Sequence, residues 1–295
     1  MNLPLTGTIT ALVTPMHEDG SIDFESLKKL IDFQIDGNIS AIVPCGSTGE
    51  SATMTFDEKC NVIRATVEHA AGRVPVIAGT GSNDTAAAIT LTKKAKELGA
   101  DAVLLVSPFY NKPTQRGLIA HFSAIADACD IPQVLYNVPG RTASNVLPET
   151  QLQLAEKYKH IIATKEASGN IEQMMEIIRN RPEHFTVLAG DDTLALPVIA
   201  SGGHGVISVL SNYAPKQLGS LVESALQGDF AKARAIHYEL FELMNLNFIE
   251  TNPIPVKGIL SMMNICQENY RLPMQPLLQE NKEILRKALQ KAGII

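Results

Sequence analysis

The stretch IIATKEA (residues 161–167) is an apolar, β-branched run that carries one lysine near its end. Runs of this kind are typical of strands buried in a sheet, so we predict a strand over Ile161 to Lys165. Seven further runs of the same character are predicted as strands: Thr8 to Val13, Ala41 to Pro44, Val74 to Ala78, Ala102 to Val106, Gln133 to Asn137, Phe185 to Ala189 and Gly205 to Val209.

The segments between these runs have the pattern of amphipathic helices. After the first run, apolar residues recur at helical spacing at Leu27, Leu30, Ile31 and Ile35. The runs follow one another at intervals of about 20 to 35 residues, the length of one strand–helix unit. Nearly continuous apolar strands are buried on both faces, which indicates a parallel sheet. Eight units predict an α/β fold, a closed (β/α)8 TIM barrel, with a doubly wound sheet as the alternative.

The pattern changes after residue 212, where no further strand-like run follows. Three stretches have helical character instead: Ala214 to Leu243, Lys257 to Met263 and Glu280 to Lys291. The prolines of Asn252-Pro253-Ile254-Pro255 interrupt this helical region. We therefore predict two domains, a barrel over residues 1–224 and a C-terminal helical domain over residues 225–295.

The composition restricts the class of protein. Hydrophobic residues make up 45% and charged residues 19% of the 295, which excludes a disordered chain and a coiled coil. A formal net charge of −6 disfavours nucleic acid and anionic membranes as partners. No apolar run is long enough to span a bilayer, and the first residues lack the basic start of a signal peptide. The four cysteines do not have the spacing of metal ligands, and we expect them to be reduced thiols: Cys45, Cys60, Cys129 and Cys266.

Lys165 is the most informative residue, because it lies within a strand that the barrel should bury. Burial disfavours the charged ammonium group and lowers the pKa of lysine, and a neutral amine can attack a ketone to form an imine. Strand periodicity places Ala163, Lys165 and Ala167 on one face, while Glu166 points the other way. The alternative is a strand-end lysine whose amine reaches solvent or an ion-pair partner.

Other polar residues also follow predicted strands, at the barrel end where active sites collect. Tyr136 and Tyr110 could relay protons through their hydroxyls, or they are core rings with a solvated tip. Ser47 lies in the turn Gly46-Ser47-Thr48-Gly49-Glu50. It could complete such a relay, or its only role could be to stabilise the turn. The planar guanidinium group of Arg141 can donate two hydrogen bonds to a carboxylate. The alternative is that Arg141 is an ordinary surface arginine.

The sequence lacks the metal motif H-E-x-x-H, a Walker loop and a complete G-x-G-x-x-G. The glycine-rich segment 202–205 could hold a phosphate, although a tight turn explains it as well. Asp191 and Asp192 could bind a metal, but they also suit the N-terminal cap of a helix. We predict neither a metal nor an organic cofactor.

Taken together, these segments resemble the dihydrodipicolinate synthase family nearly from end to end. The segments that carry the resemblance are GSTGES (46–51), YNVPGRT (136–142), KEA (165–167), GDD (190–192), GGHGVIS (202–208) and NPIPVK (252–257). The Gly-x-Thr-Gly-Glu turn and the strand-six lysine mark the wider superfamily of pyruvate-dependent class I aldolases. The segment 136–142 is typical of a narrower group within this superfamily, and it favours the synthases.

The resemblance implies roles for four reactive residues. Lys165 would form a Schiff base with pyruvate, and Tyr136 would shuttle protons. Ser47 and Tyr110 would complete a triad with it, Tyr110 reaching in from a neighbouring subunit. The enzyme would be a cytoplasmic lyase of lysine and diaminopimelate biosynthesis, a homotetramer built as a dimer of dimers.

The resemblance also implies how the substrates are held. Thr48 would hold the carboxylate of pyruvate, and Arg141 would bind the carboxylate of L-aspartate 4-semialdehyde. Gly190 and Ile207 would line the pocket. The product would be 4-hydroxy-tetrahydrodipicolinate.

One departure from the family pattern concerns the substrate. Ser47 stands where the synthases usually have threonine, and serine is typical there of N-acetylneuraminate lyase. The alternative function is therefore another Schiff-base pyruvate aldolase, such as that lyase or a keto-deoxy sugar acid aldolase. Arg141 favours the synthase, because the lyase lacks an arginine in this loop.

A second departure concerns feedback by L-lysine, which some synthases bind. In this chain Phe56 and Lys59 replace histidines, Ala87 replaces a glutamate and Phe109 replaces a tyrosine. The missing groups would have bound charged parts of the amino acid, and the cation of Lys59 would repel its ammonium group. We expect inhibition by L-lysine to be weak or absent.

Overall fold

The computed structural model describes residues 5–295. Its centre is a sheet of eight parallel strands: β1 (Gly7–Ala11), β2 (Ala41–Val43), β3 (Ile77–Gly79), β4 (Ala102–Val106), β5 (Gln133–Asn137), β6 (Ile161–Glu166), β7 (Thr186–Ala189) and β8 (Gly205–Ser208). Neighbours in the sheet follow chain order, with β8 pairing with β1. All eight predicted strands are confirmed.

The two ends of this sheet, β2 and β3, also meet. The backbone amide of Ile42 donates to the carbonyl of Pro75 at 3.0 Å, and that of Gly79 donates to the carbonyl of Pro44 at 2.9 Å. Ile42 also pairs with Val76 in an isolated bridge. These contacts complete the barrel, so the predicted (β/α)8 fold is confirmed and the doubly wound alternative is wrong.

The helices that surround the barrel bury one face each. They are α1 (Phe24–Asp36), α2 (Phe56–Ala70), α3 (Thr85–Glu97), α4 (Gln115–Ala128), α5 (Pro139–Thr142), α6 (Pro148–Lys157), α7 (Ile171–Asn180), α8 (Ala195–Ala200) and α9 (Pro215–Leu226). In α1, the predicted apolar face buries Leu27, Leu30 and Ile31, and the side chain of Asp23 caps the helix by accepting from the amide of Ser26. Hydrophobic burial of these faces holds the outer layer on the sheet.

Three more helices follow: α10 (Phe230–Leu246), α11 (Ile254–Met262) and α12 (Gln279–Lys291). The helix predicted over Ala214 to Leu243 is thus two helices, α9 and α10. Gly228 adopts a positive φ of 84° between them, and Asp229 caps α10. The predicted division between residues 224 and 225 stays a prediction.

Apolar side chains form two layers. An inner cluster fills the barrel and includes Ile9, Ala163, Leu188 and Ile207, while a larger cluster lies between the strands and the helices. Because the inner cluster fills the barrel, the functional site must lie at one of its ends. Within residues 5–295, no helix has the length and apolar character needed to cross a membrane.

Candidate active site

Lys165 lies on the inner face of β6 with its amine buried. Only 4% of the residue is exposed, and its Nζ lies 4.4 Å from the ring centroid of Tyr136, its register partner on β5. Burial lowers the pKa of Lys165 to about 8, although the charges of Asp191 and Asp192 act in the opposite direction. A pKa near 8 leaves about a tenth of the amines neutral at pH 7. The amine can therefore act as a nucleophile.

Tyr136 and Ser47 place hydroxyl groups beside this amine. Burial raises the pKa of Tyr136 to about 12, while Arg141 and a hydrogen-bonding interaction with Ser47 oppose the rise. The phenol is therefore protonated at neutral pH and can donate a hydrogen bond. Ser47 and Tyr136 line the same cavity as Lys165.

The turn between β2 and α2 presents Ser47 and Thr48 to this cavity. Cys45 and Glu50 at its two ends adopt left-handed backbone conformations, with φ of 58° and 56°. Thr48 is 3% exposed, and its Oγ1 accepts a hydrogen bond from Nδ2 of Asn252 at 2.9 Å. With its oxygen engaged as an acceptor, the Thr48 hydroxyl is free to donate to a ligand.

The cavity, of about 40 Å³, brings together six of the eight predicted site residues: Ser47, Thr48, Tyr136, Arg141, Lys165 and Gly190. Gly190 must lack a side chain, because a Cβ there would lie 2.4 Å from Cβ of Ala167. Phe248 and Asn252, from the segment between α10 and α11, also line the cavity. Asn252 begins the segment NPIPVK, which interrupts the helical region and carries part of the family resemblance, but neither pattern indicated that its side chain reaches the site.

The structure leaves two predicted site residues outside this cavity. Tyr110 follows β4, is 89% exposed and is not among the residues that line the cavity. Ile207 is buried within the barrel, in the inner cluster that also contains Tyr136. Val209, which follows β8, lines the cavity instead.

Asp192 binds the N-terminal end of a helix, which is one of the two roles that the sequence allowed, and this helix follows β8. Its Oδ2 accepts hydrogen bonds from the backbone amides of Val209 at 3.2 Å and Leu210 at 2.8 Å, where a 3-10 helix begins. Asp191 makes no side-chain cap, and burial raises the pKa of both carboxyls. In the described part of the chain, no three His, Cys, Asp or Glu side chains form a group that could hold a metal.

Glu166 faces away from the cavity, as the strand periodicity predicts, and it is fully buried. Its carboxylate accepts hydrogen bonds from Asn137 at 3.0 Å, Gln151 at 2.8 Å, Gln173 at 3.2 Å and the backbone amide of Ser168 at 2.9 Å. These donors compensate for the lost solvation of the charge. The network fixes the end of β6 immediately after Lys165.

A larger pocket of about 580 Å³ adjoins the cavity and shares Ser47, Arg141 and Asn252 with it. The four residues that depart from the lysine-binding pattern also line this pocket: Phe56, Lys59, Ala87 and Phe109.

Comparison with known proteins agrees with this geometry. The model of the dihydrodipicolinate synthetase family matches residues 4–292. The 4-hydroxy-tetrahydrodipicolinate synthase of Koribacter versatilis is 52% identical over 297 residues, which cover 99% of this chain and 98% of the relative. The crystal structure of the Aquifex aeolicus dihydrodipicolinate synthase has a TM-score of 0.97 and 47% identity, covering 98% of this chain and 99% of the other.

Another similar crystal structure contains a bound molecule. The chloride-inhibited dihydrodipicolinate synthase of Acinetobacter baumannii, solved in complex with pyruvate, has a TM-score of 0.96 and 43% identity, covering 98% of this chain and 99% of the other. Both the fold and nearly the whole length of the sequence are therefore shared with these enzymes. The chain belongs to the dihydrodipicolinate synthetase family, a family of lyases.

Proposed function

We propose that this enzyme condenses pyruvate with L-aspartate 4-semialdehyde to form 4-hydroxy-tetrahydrodipicolinate, in lysine and diaminopimelate biosynthesis. The observation that carries the proposal is the buried Lys165 amine, which has a lowered pKa and meets hydroxyl groups in a cavity at the end of the barrel. Two relatives that are 52% and 50% identical to this chain carry the name of this activity.

Lys165 begins the proposed reaction. Its neutral Nζ attacks C2 of pyruvate, and the carbonyl oxygen leaves as water to give an imine. Loss of a proton from the methyl carbon gives an enamine, and this carbon attacks the aldehyde carbon of the second substrate to form the new C–C bond. The amino group of the second substrate then attacks the imine carbon, closes the ring and releases Lys165. One water leaves overall, and neither an oxidant nor a reductant is consumed.

The proposed proton relay starts at Tyr136. Its phenol lies beside the amine of Lys165 and holds its proton at neutral pH, so it can deliver a proton to the departing oxygen. Ser47 would pass protons between Tyr136 and the next hydroxyl. Tyr110 of a second subunit would supply that hydroxyl, and its 89% exposure in the single chain is compatible with this role.

The substrate carboxylates require donors, and two side chains supply them. The Thr48 hydroxyl donates to the carboxylate of pyruvate, because Asn252 already occupies its acceptor side. Arg141 offers two parallel N–H groups to the carboxylate of the semialdehyde. Gly190 leaves space for the bound substrate, and Ile207 supports the cavity from within the barrel.

The assembly and the location are further parts of the proposal. A homotetramer, built as a dimer of dimers, would bring Tyr110 of one subunit to the site of another. A monomeric variant is among the solved structures similar to this chain, so the fold does not by itself require the assembly. The biosynthetic role and the four free, buried cysteines support a cytoplasmic location.

The choice of acceptor is tested at a fixed pyruvate concentration. We expect turnover with aspartate 4-semialdehyde to exceed that with N-acetylmannosamine or glyceraldehyde by at least about a hundredfold, since a site built to pair a carboxylate discriminates against acceptors without one. Faster turnover with a sugar-derived aldehyde would contradict the proposed substrate and favour the sugar-acid aldolase.

A further inference from the structure

We propose that the buried ion pair between Lys257 and Glu50 is a positioning device. It couples the C-terminal helices to the turn that holds the carboxylate of pyruvate. Lys257 and Glu50 are thus positioning residues for the reaction, although neither contacts a reacting atom. This inference rests on the proposed role of Thr48.

The pair itself is fully enclosed. Nζ of Lys257, on α11, lies 2.6 Å from Oε1 of Glu50, and their side chains are 0% and 2% exposed. The ammonium group also donates to the carbonyl of Asn269 at 2.5 Å and lies 4.9 Å from the ring centroid of Tyr270. Two charges removed from water this completely are tolerated only because the partners meet in a fixed geometry.

Glu50 ends the turn that presents Ser47 and Thr48 to the cavity. Its φ of 56° is one that side-chain-bearing residues rarely adopt, and such conformations persist where the surroundings hold them. Lys257 is the buried cation that fixes its carboxylate, with the backbone amide of Arg271 as a weaker donor at 3.5 Å. The C-terminal helices therefore determine where the turn ends.

A second contact joins the same two parts of the chain. Asn252, five positions before Lys257, donates to Oγ1 of Thr48 at 2.9 Å. The turn is thus bound to the C-terminal segment at both Thr48 and Glu50. Lys257 does not line the cavity, and its direct contact with the turn is the one to Glu50. A small displacement of such a turn is enough to misplace a bound substrate.

Glu50→Asp tests the coupling while keeping both charges. The shorter side chain can reach Lys257 only if the turn moves. We would measure the pyruvate concentration at which half of Lys165 is trapped by borohydride, using mass spectrometry. The expected result is a rise of about tenfold, because displacing a positioned donor weakens the interaction that it makes. An unchanged half-saturating concentration would overturn the proposal.

The matched control is Glu268→Asp. Glu268 pairs with Lys282 at 2.7 Å in the same C-terminal region, with side chains 15% and 28% exposed, and its other hydrogen bond comes from the backbone amide of Leu277 rather than from the turn. This variant should leave the half-saturating concentration unchanged. An equal rise in the control would show that any damage to the C-terminal ion pairs suffices, and it would contradict the specific role of Glu50.

The double variant Glu50→Gln/Lys257→Met separates positioning from stability. Either single change leaves one buried charge unpaired and should lower the melting temperature, whereas the double change removes both charges and should recover part of it. We expect pyruvate trapping to remain weakened in the recovered protein. Recovery of melting together with wild-type trapping would reduce the pair to a structural role.

These outcomes are distinct from failure of the proposed function. If the unmodified enzyme yields no pyruvate adduct at any concentration, the proposed chemistry of Lys165 is wrong. If it yields the adduct and Glu50→Asp traps pyruvate equally well, only the coupling is wrong.

Discussion

Burial disfavours the charged form of a lysine, and the two buried lysines of residues 5–295 differ in how that charge is compensated. Lys257 is paired with Glu50 at 2.6 Å. Lys165 forms no ion pair in the described part of the chain, and an aromatic ring is its close neighbour. Burial lowers the pKa of both amines, but only Lys165 opens onto a cavity. The combination of burial, an unpaired amine and access is what suits Lys165 to nucleophilic attack.

The pKa of about 8 for Lys165 predicts how imine formation depends on pH. Only the neutral amine attacks, so the rate of adduct formation should rise about tenfold per pH unit below the pKa and become constant above it. Rapid-quench borohydride trapping from about pH 6 to about pH 9.5 measures this profile. A rate that continues to rise toward the ordinary lysine value of 10.5 would contradict the lowered pKa.

Arg141→Ala should weaken binding of the second substrate. The variant loses two charge-assisted hydrogen bonds to a carboxylate, so we expect KM for aspartate 4-semialdehyde to rise about ten- to a hundredfold. Borohydride trapping of pyruvate should change little. The control is Arg179→Ala, since the side chain of Arg179 is 74% exposed on α7. An unchanged KM in Arg141→Ala would assign the carboxylate to another group.

Single residues also show where sequence reasoning ends. The position of Lys165 in a buried strand predicted its environment, because the strand pattern is local. The hydrogen bond between Asn252 and Thr48 joins residues 204 positions apart, and no local pattern contains that information. The partners of Asp192 show the same limit, because Val209 and Leu210 follow β8 and a local pattern could not name them.

The strands and helices were predicted well because this fold buries them in a regular way. Each strand of a barrel is apolar on both faces, and each surrounding helix has one apolar face. The errors fall where backbone chemistry overrides the apolar pattern. The third strand begins at Ile77 rather than Val74, because Pro75 cannot donate a hydrogen bond to the ladder. Gly228 similarly divides one predicted helix into two.

The network around Glu166 gives a prediction about the strand that carries Lys165. In Glu166→Gln, one carboxylate oxygen becomes an amide NH2 that faces the donors now bonded to that oxygen, which leaves buried groups unpaired. We expect the free energy of unfolding to fall by about 2–3 kcal/mol. Urea denaturation measures the change.

Glu156→Gln is the matched control for this prediction, because Glu156 is exposed on α6. A surface change of this kind should alter the stability by no more than about 0.5 kcal/mol. Equal stability of Glu166→Gln and Glu156→Gln would show that the buried charge is dispensable.

For the whole molecule, the larger pocket beside Ser47 bears on regulation. Phe56, Lys59, Ala87 and Phe109 line it, and the carboxylate in its lining, that of Glu50, is already paired with Lys257. L-Lysine should therefore inhibit weakly or not at all, because its ammonium groups find no unpaired negative partner there. Titrating L-lysine into a coupled assay measures the effect. Strong inhibition at sub-millimolar L-lysine would contradict this account of the pocket.

The comparisons confirm the family, the lyase class and the synthase activity that the sequence predicted. The assembly could not be derived in the same way, because an interface depends on surfaces of two chains. Tyr110 illustrates the limit, since its motif position implies a catalytic role while the single chain leaves it at the surface.

Borohydride reduction of the enzyme with pyruvate, followed by peptide mass mapping, identifies the amine that forms the imine. We expect one reduced adduct, on the peptide that contains Lys165. Lys165→Arg should abolish both the adduct and turnover. An adduct on a different lysine, or substantial turnover by Lys165→Arg, would contradict the proposed role of Lys165.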